Sequence, residues 1–171
     1  MELTVVKGDI AQQSADALVN AAGTSLVMGS GVAGALRRAG GEALNDAAVA
    51  KGSIALGAVA VTDAYDLDAE YVVHAAVMPH YGDGQATASS IRDATSNALA
   101  RADELACESV VVPPLGCGVA GFPLEEGARL IAEEIRAFDP DSLDDVRFIT
   151  YGDDSYETVS DVADAVRSDD A

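Results

Sequence analysis

The chain is poor in positive charge. Its 171 residues carry 10 lysines and arginines against 29 aspartates and glutamates, a formal net charge of −19, and its lysines are Lys7 and Lys51 alone. Such a surface repels the phosphate backbone, so no nucleic-acid partner is expected. The acids are scattered along the chain rather than gathered in a block. They read as a solvated surface adapted to high salt, as in halophile cytoplasm, more than as an acidic face for a basic partner. At low salt, self-repulsion should weaken the fold.

Cysteine is scarce too. Cys107 and Cys117 stand at a helix end and in a glycine loop, which suits a reduced, intracellular protein better than a disulfide framework. Two isolated histidines and two isolated cysteines show no metal-ligand spacing, so no metal and no cofactor is expected. No apolar run approaches the length that spans a bilayer, and the N-terminus, with Glu2, Lys7 and Asp9, lacks a basic-then-apolar leader. A cytoplasmic protein without membrane contact is expected. The length suits one domain over residues 1–171, large enough to bury about 70% of the unfolded chain's surface.

What the chain does have is β-rich apolar runs at 3–6, 17–19, 58–62, 71–74, 110–113 and 146–150. Helical spacing follows some of them. Residues 32–38 read as a helix after a glycine loop, 89–105 place Ile91, Ala94, Ala98, Leu99 and Ala102 on one face, 124–138 repeat the pattern, and 156–167 close the chain before a frayed 168–171 tail. This alternation predicts an α/β sandwich, with helices covering a central sheet. Surface loops are expected at 139–145 and at 79–86, the latter turning through Tyr81-Gly82-Asp83-Gly84.

Two strand–loop–helix units carry the functional signal. In Val19 to Gly41, Gly29, Ser30 and Gly31 allow close backbone approach, and the helix that follows turns its free N–H groups toward the loop. In Val110 to Leu124, a strand ending in Pro113-Pro114 leads through Leu115-Gly116-Cys117-Gly118-Val119-Ala120-Gly121-Phe122-Pro123 into a second helix. Together they suggest a site for two phosphates. A Rossmann dinucleotide domain fits worse, because neither loop has the G-x-G-x-x-G spacing with an acid about 20 residues on.

Lys7-Gly8-Asp9-Ile10, Val19-Asn20-Ala21-Ala22 with Gly29-Ser30-Gly31-Val32-Ala33-Gly34-Ala35, Tyr71-Val72-Val73-His74-Ala75 and Pro114 to Pro123 follow one another in an order that resembles the macrodomain family, the ADP-ribose-binding module. The resemblance spans nearly the whole chain. It implies a three-layer α/β/α sandwich around a mixed six-stranded sheet. It also implies binding of ADP-ribose, or of ADP-ribosylated protein as partner. Asp9 with Ile10 would take the adenine amino group and Tyr151 would stack on the ring. Ser30, Gly31 and Val32 would close on the diphosphate from one side, and Gly116, Cys117, Gly118, Val119 and Ala120 from the other. Backbone amides compensate phosphate charge without a lysine.

Several of these residues have plainer readings. Asp9 also suits a helix N-cap or turn, Tyr151 an edge-strand aromatic, and Tyr156 a core position. His74 reads as a satisfied core histidine rather than a base, His80 supports nothing specific, and Cys117 is a poor nucleophile without a histidine beside it. Asn20, at the end of a presumed buried strand, must find hydrogen-bond partners; it either orients the loop or reaches the distal ribose, and it is the candidate catalytic residue. The alternative function is a hydrolase, freeing mono-ADP-ribose from acidic side chains or phosphate from ADP-ribose-1″-phosphate. Departures from the family pattern at Gly23, Ala33 and Ala120 remove polar or bulky groups from that reaction site. A third reading is a structural α/β module whose glycine loops serve only packing.

Overall fold

In the computed structural model, residues 1–79 and 84–169 are described. The six strands are β1 (Glu2–Lys7), β2 (Ala17–Gly23), β3 (Val59–Asp63), β4 (Tyr71–Met78), β5 (Ser109–Val112) and β6 (Asp145–Thr150). The helices are α1 (Gly31–Gly40), α2 (Glu42–Lys51), α3 (Ala88–Glu104), α4 (Leu124–Ala137) and α5 (Asp153–Ser168), with a 3-10 turn at Ile10–Gln12. The expected sandwich is present: one sheet in the order β1-β6-β5-β2-β4-β3, parallel throughout except for the antiparallel β3–β4 pair.

Strand alternation sorts the core into two clusters, one on each face of the sheet. Val19, Val73, Val110, Val112 and Phe148 face α3, α4 and α5, where Ile91, Leu99, Ile131, Ile135 and Val159 meet them. Leu18, Val72, Val111 and Ile149 face the other way, against Ala33 and Leu36 of α1 and Leu44 and Ala48 of α2. Because the central strands bury both faces, their sequences are continuous apolar runs; β1, at an edge, instead exposes Glu2, Thr4 and Lys7.

Four details depart from the sequence expectations. Helix α2 was not expected. Its buried stripe is only Leu44, Asn45 and Ala48, too short to announce a period. Helix α5 starts at Asp153 and runs through Ser168, so the predicted frayed tail begins too early. Tyr156, expected in the core, is 38% exposed. Strand β2 continues to Gly23 instead of stopping near Val19, which decides the fate of Asn20. The Tyr81 turn and His80 fall in residues 80–83, outside the described residues.

The topology places a crevice. From β2 the chain leaves into α1 on one face of the sheet, whereas from the neighbouring β5 it leaves into α4 on the opposite face. Where adjacent parallel strands send their connections to opposite faces, a gap opens beyond their carboxyl ends.

Candidate functional site

That gap is a cleft of about 620 Å³, within the size range of small-ligand sites. Its floor is Ala21 of β2, Val77 and Met78 of β4, and Pro113 and Pro114 after β5. Its walls hold eleven of the twelve residues singled out as ligand contacts: Asp9, Ile10, Ser30, Gly31, Val32, Gly116, Cys117, Gly118, Val119, Ala120 and Tyr151.

Asp9 stands where β1 gives way to the 3-10 turn. Its Oδ1 accepts the Ala11 N–H at 2.9 Å, so the N-cap reading of Asp9 describes one oxygen. Oδ2 takes no protein hydrogen bond among the described residues and stays available at the cleft. The Gly8 N–H donates to the Thr150 carbonyl at 2.9 Å, which ties the end of β1 to the end of β6 and brings Asp9 and Tyr151 to the same end of the cleft. Tyr151 is 83% exposed and buries little of its ring in the protein.

The two loops differ in how they present donors. Helix α1 begins with no acid in its first turn and no side-chain cap from Ser30, so its leading amides and the positive end of its dipole are unused. Helix α4 carries Glu125 and Glu126 in its first turn, which already occupy that end. On the α4 side the donors belong to the loop itself. It is held by Cys117 N–H to the Pro114 carbonyl (3.1 Å), Gly121 N–H to the Gly118 carbonyl (3.0 Å) and Phe122 N–H to the Gly116 carbonyl (2.9 Å). The amides of Gly118, Val119 and Ala120 donate to no acceptor among the described residues. Gly116 has φ +80°, and a Cβ there would come within 2.7 Å of Ala86, so the turn requires glycine. Across the gap, the Val119 side chain reaches to 3.6 Å from where a Cβ on Gly31 would stand.

The Cys117 thiol is engaged in packing beneath the loop. Its sulfur points toward the Leu115 carbonyl at 3.6 Å and packs against Gly127 of α4. Burial pushes the thiol up to about 11, so it is neutral at physiological pH.

Asn20 is the correction. It does not line the cleft: it is 1% exposed, within β2, opposite His74 of β4. The longer β2 turns its amide to the α1–α2 face, and Nδ2 lies 3.0 Å from His74 Nδ1. The far ring nitrogen of His74 lies 3.0 Å from Thr62 Oγ1. With the Asn20 amide donating, Nε2–H donates to the Thr62 hydroxyl. Burial, with the Lys51 charge second, pushes the imidazole down to about 4, so it is neutral and structural. Asn20 Nδ2 is thus engaged in a buried amide–imidazole–hydroxyl chain away from the cleft, while its Oδ1 is buried without a partner among the described residues. Ala33, at the second departure, is fully buried in the core.

Sequence reasoning missed Arg38 and Ser155, which also line the cleft. Arg38 had a readable signal, one turn beyond Ala35 on the same side of α1. Among the described residues no group of three or more potential metal ligands occurs. No helix there is long and apolar enough to cross a membrane.

The Macro domain family model matches residues 19–131. A Saccharolobus solfataricus protein is 37% identical over 171 residues, covering 97% of this chain and 94% of its own. A Mycobacterium tuberculosis protein is 42% identical over 153 residues, or 90% of this chain, which spans about 42% of that relative's length. Among solved structures, the Trypanosoma brucei macrodomain in complex with ADP-ribose superposes with a TM-score of 0.84 at 26% identity, covering 93% of this chain and 68% of that one. On the family model's match to residues 19–131, the chain belongs to the macro domain family.

Proposed function

We propose that residues 1–171 act as one macro domain that binds ADP-ribose, free or as the terminal group on a modified protein. The observation that carries this is the pairing, in one cleft, of a free carboxylate oxygen on Asp9 with unpaired loop amides at Gly118–Ala120 and the acid-free start of α1. The carboxylate accepts from an exocyclic amine, which adenine has and guanine lacks at that position. The amides take a diphosphate between two layers. Tyr151 offers an exposed ring for the base at the Asp9 end. A neighbour of the same fold solved with ADP-ribose supports the same ligand.

The reading is binding rather than turnover. Among the described residues, Asp9 is the one carboxylate that lines the cleft, at the end where Tyr151 stands, and the loop thiol is neutral. Among the described residues, no lining group stands ready to activate water at a distal ribose. Free thiols at Cys107 and Cys117 suit a reducing, cytoplasmic setting, and the net charge of −19 suits high salt.

Calorimetric titration of ADP-ribose in molar salt, with AMP and NAD as comparators, tests the proposal. Tight binding selective for ADP-ribose is expected. No heat and no thermal stabilisation overturn it, since a ligand at 100 Kd stabilises by about 2.7 kcal/mol.

A further inference from the structure

Arg38 is singular in its setting. In a chain with 29 acids and 10 bases, the cleft lining holds two charged side chains among the described residues, Asp9 and Arg38. The neighbouring Arg37 is fully engaged: Nε and Nη2 pair with Glu42 at 2.9 and 2.7 Å, and Nη1 donates to the Met28 carbonyl at 3.0 Å. Arg38 is exposed and makes no ion pair or hydrogen bond among the described residues. Helix α1 has no acid to pair with it.

Its guanidinium is folded back along the helix. Nη1 lies 3.2 Å from where a Cβ on Gly34 would stand, a spot also 3.3 Å from the Gly29 carbonyl. The head group is thus carried a turn toward the helix N-terminus from its own Cα, beside Ala35 and the glycine loop. The missing side chain at Gly34 leaves the room for it.

We propose that Arg38 is a ligand-binding residue that makes the cleft selective for phosphorylated ligands over neutral ones, by placing an uncompensated positive charge at the rim of the anion site. This rests on the diphosphate reading above. A charge at the cleft wall lies within about one Debye length, ~8–10 Å in moderate salt, of a group held between the loops. The unpaired loop amides supply directional hydrogen bonds, and Arg38 supplies net charge.

The test titrates ADP-ribose and, as the uncharged probe, adenosine into the wild-type protein, Arg38→Gln and Arg38→Lys, at about 0.15 M and about 1 M salt. Thermal melts show each protein folded under each condition. Arg38→Gln should lower ADP-ribose affinity roughly three- to tenfold at the lower salt, lose less at the higher salt, and leave adenosine unchanged. Arg38→Lys should keep most of the affinity. Equal ADP-ribose affinities for wild type and Arg38→Gln, or equal losses for ADP-ribose and adenosine, overturn the role. Absence of ADP-ribose binding by the wild-type protein overturns the diphosphate reading itself and this assignment with it.

Discussion

The sulfur of Cys117 occupies the space that a side-chain carbon on Gly127 would fill. The loop that presents the free amides therefore sits directly on the bare backbone of α4, with the Phe122 ring 3.4 Å from the same point.

Gly127→Ala should push the loop off its seat. Overpacking of this kind costs about 1–3 kcal/mol, and a lowered melting temperature with weakened ADP-ribose binding is expected. Adding Cys117→Ala removes the obstructing sulfur. The double variant should recover both properties, because alanine is the better helix residue by about 1 kcal/mol. Failure of the second substitution to rescue the first would show that the contact is not the cause.

Tyr151 is nearly free of the protein, so its removal should separate binding from folding. Tyr151→Ala should leave the urea midpoint unchanged while weakening ADP-ribose by ~1–3 kcal/mol, the usual worth of a base–aromatic stack. Unchanged affinity in the same titration would place the base elsewhere.

Asp9 has two oxygens with two duties. Asp9→Ala loses the turn cap, at about 1 kcal/mol of stability, together with the acceptor for the base. Asp9→Asn keeps an acceptor for the Ala11 N–H and offers a donor to the ligand. The preference for ADP over GDP in competition titrations should be strong in the wild type and collapse in Asp9→Asn. A preference that survives the exchange would refute the acceptor role.

His74 predicts a pH dependence of folding. Its pKa is about 4 in the native state against 6.5 when unfolded, so the unfolded chain binds more protons between those values. Stability is full above about pH 6.5, falls as pH drops toward 4, and changes no further on its account below that. The contribution is of order 3 kcal/mol. His74→Gln, which cannot titrate, should be less stable than the wild type at pH 7 and close much of that gap by pH 4.5 in paired denaturant melts. A gap of constant size would mean that the ring does not titrate in this window.

The fold and the cleft were legible in the sequence for different reasons. Alternating strand and helix periods, with glycines at the two loops, placed eleven of twelve named ligand residues on one cavity, because backbone chemistry is local and written in glycine positions. Asn20 was misread because a one-dimensional pattern ended β2 near Val19. The pairing of Asn20 with His74 across the β2–β4 ladder is a long-range fact that no local window contains. Helix α2 escaped because only Leu44, Asn45 and Ala48 form its buried face, too few apolar positions to show a helical period. Arg38 could have been placed at the cleft from its position one turn beyond Ala35, but its lack of an ion-pair partner among the described residues is visible only in the structure.

The loops that face each other across the cleft belong to opposite layers of the sandwich, one leading into α1 and the other into α4. The gap between them is therefore set by the thickness of the sheet and the packing beneath both helices. A ligand bridging the loops would act as a clasp between the layers, which approach each other across the gap at Val119 and Gly31. Amide exchange should slow on both helices together when the cleft fills, although neither helix touches the other face of the sheet.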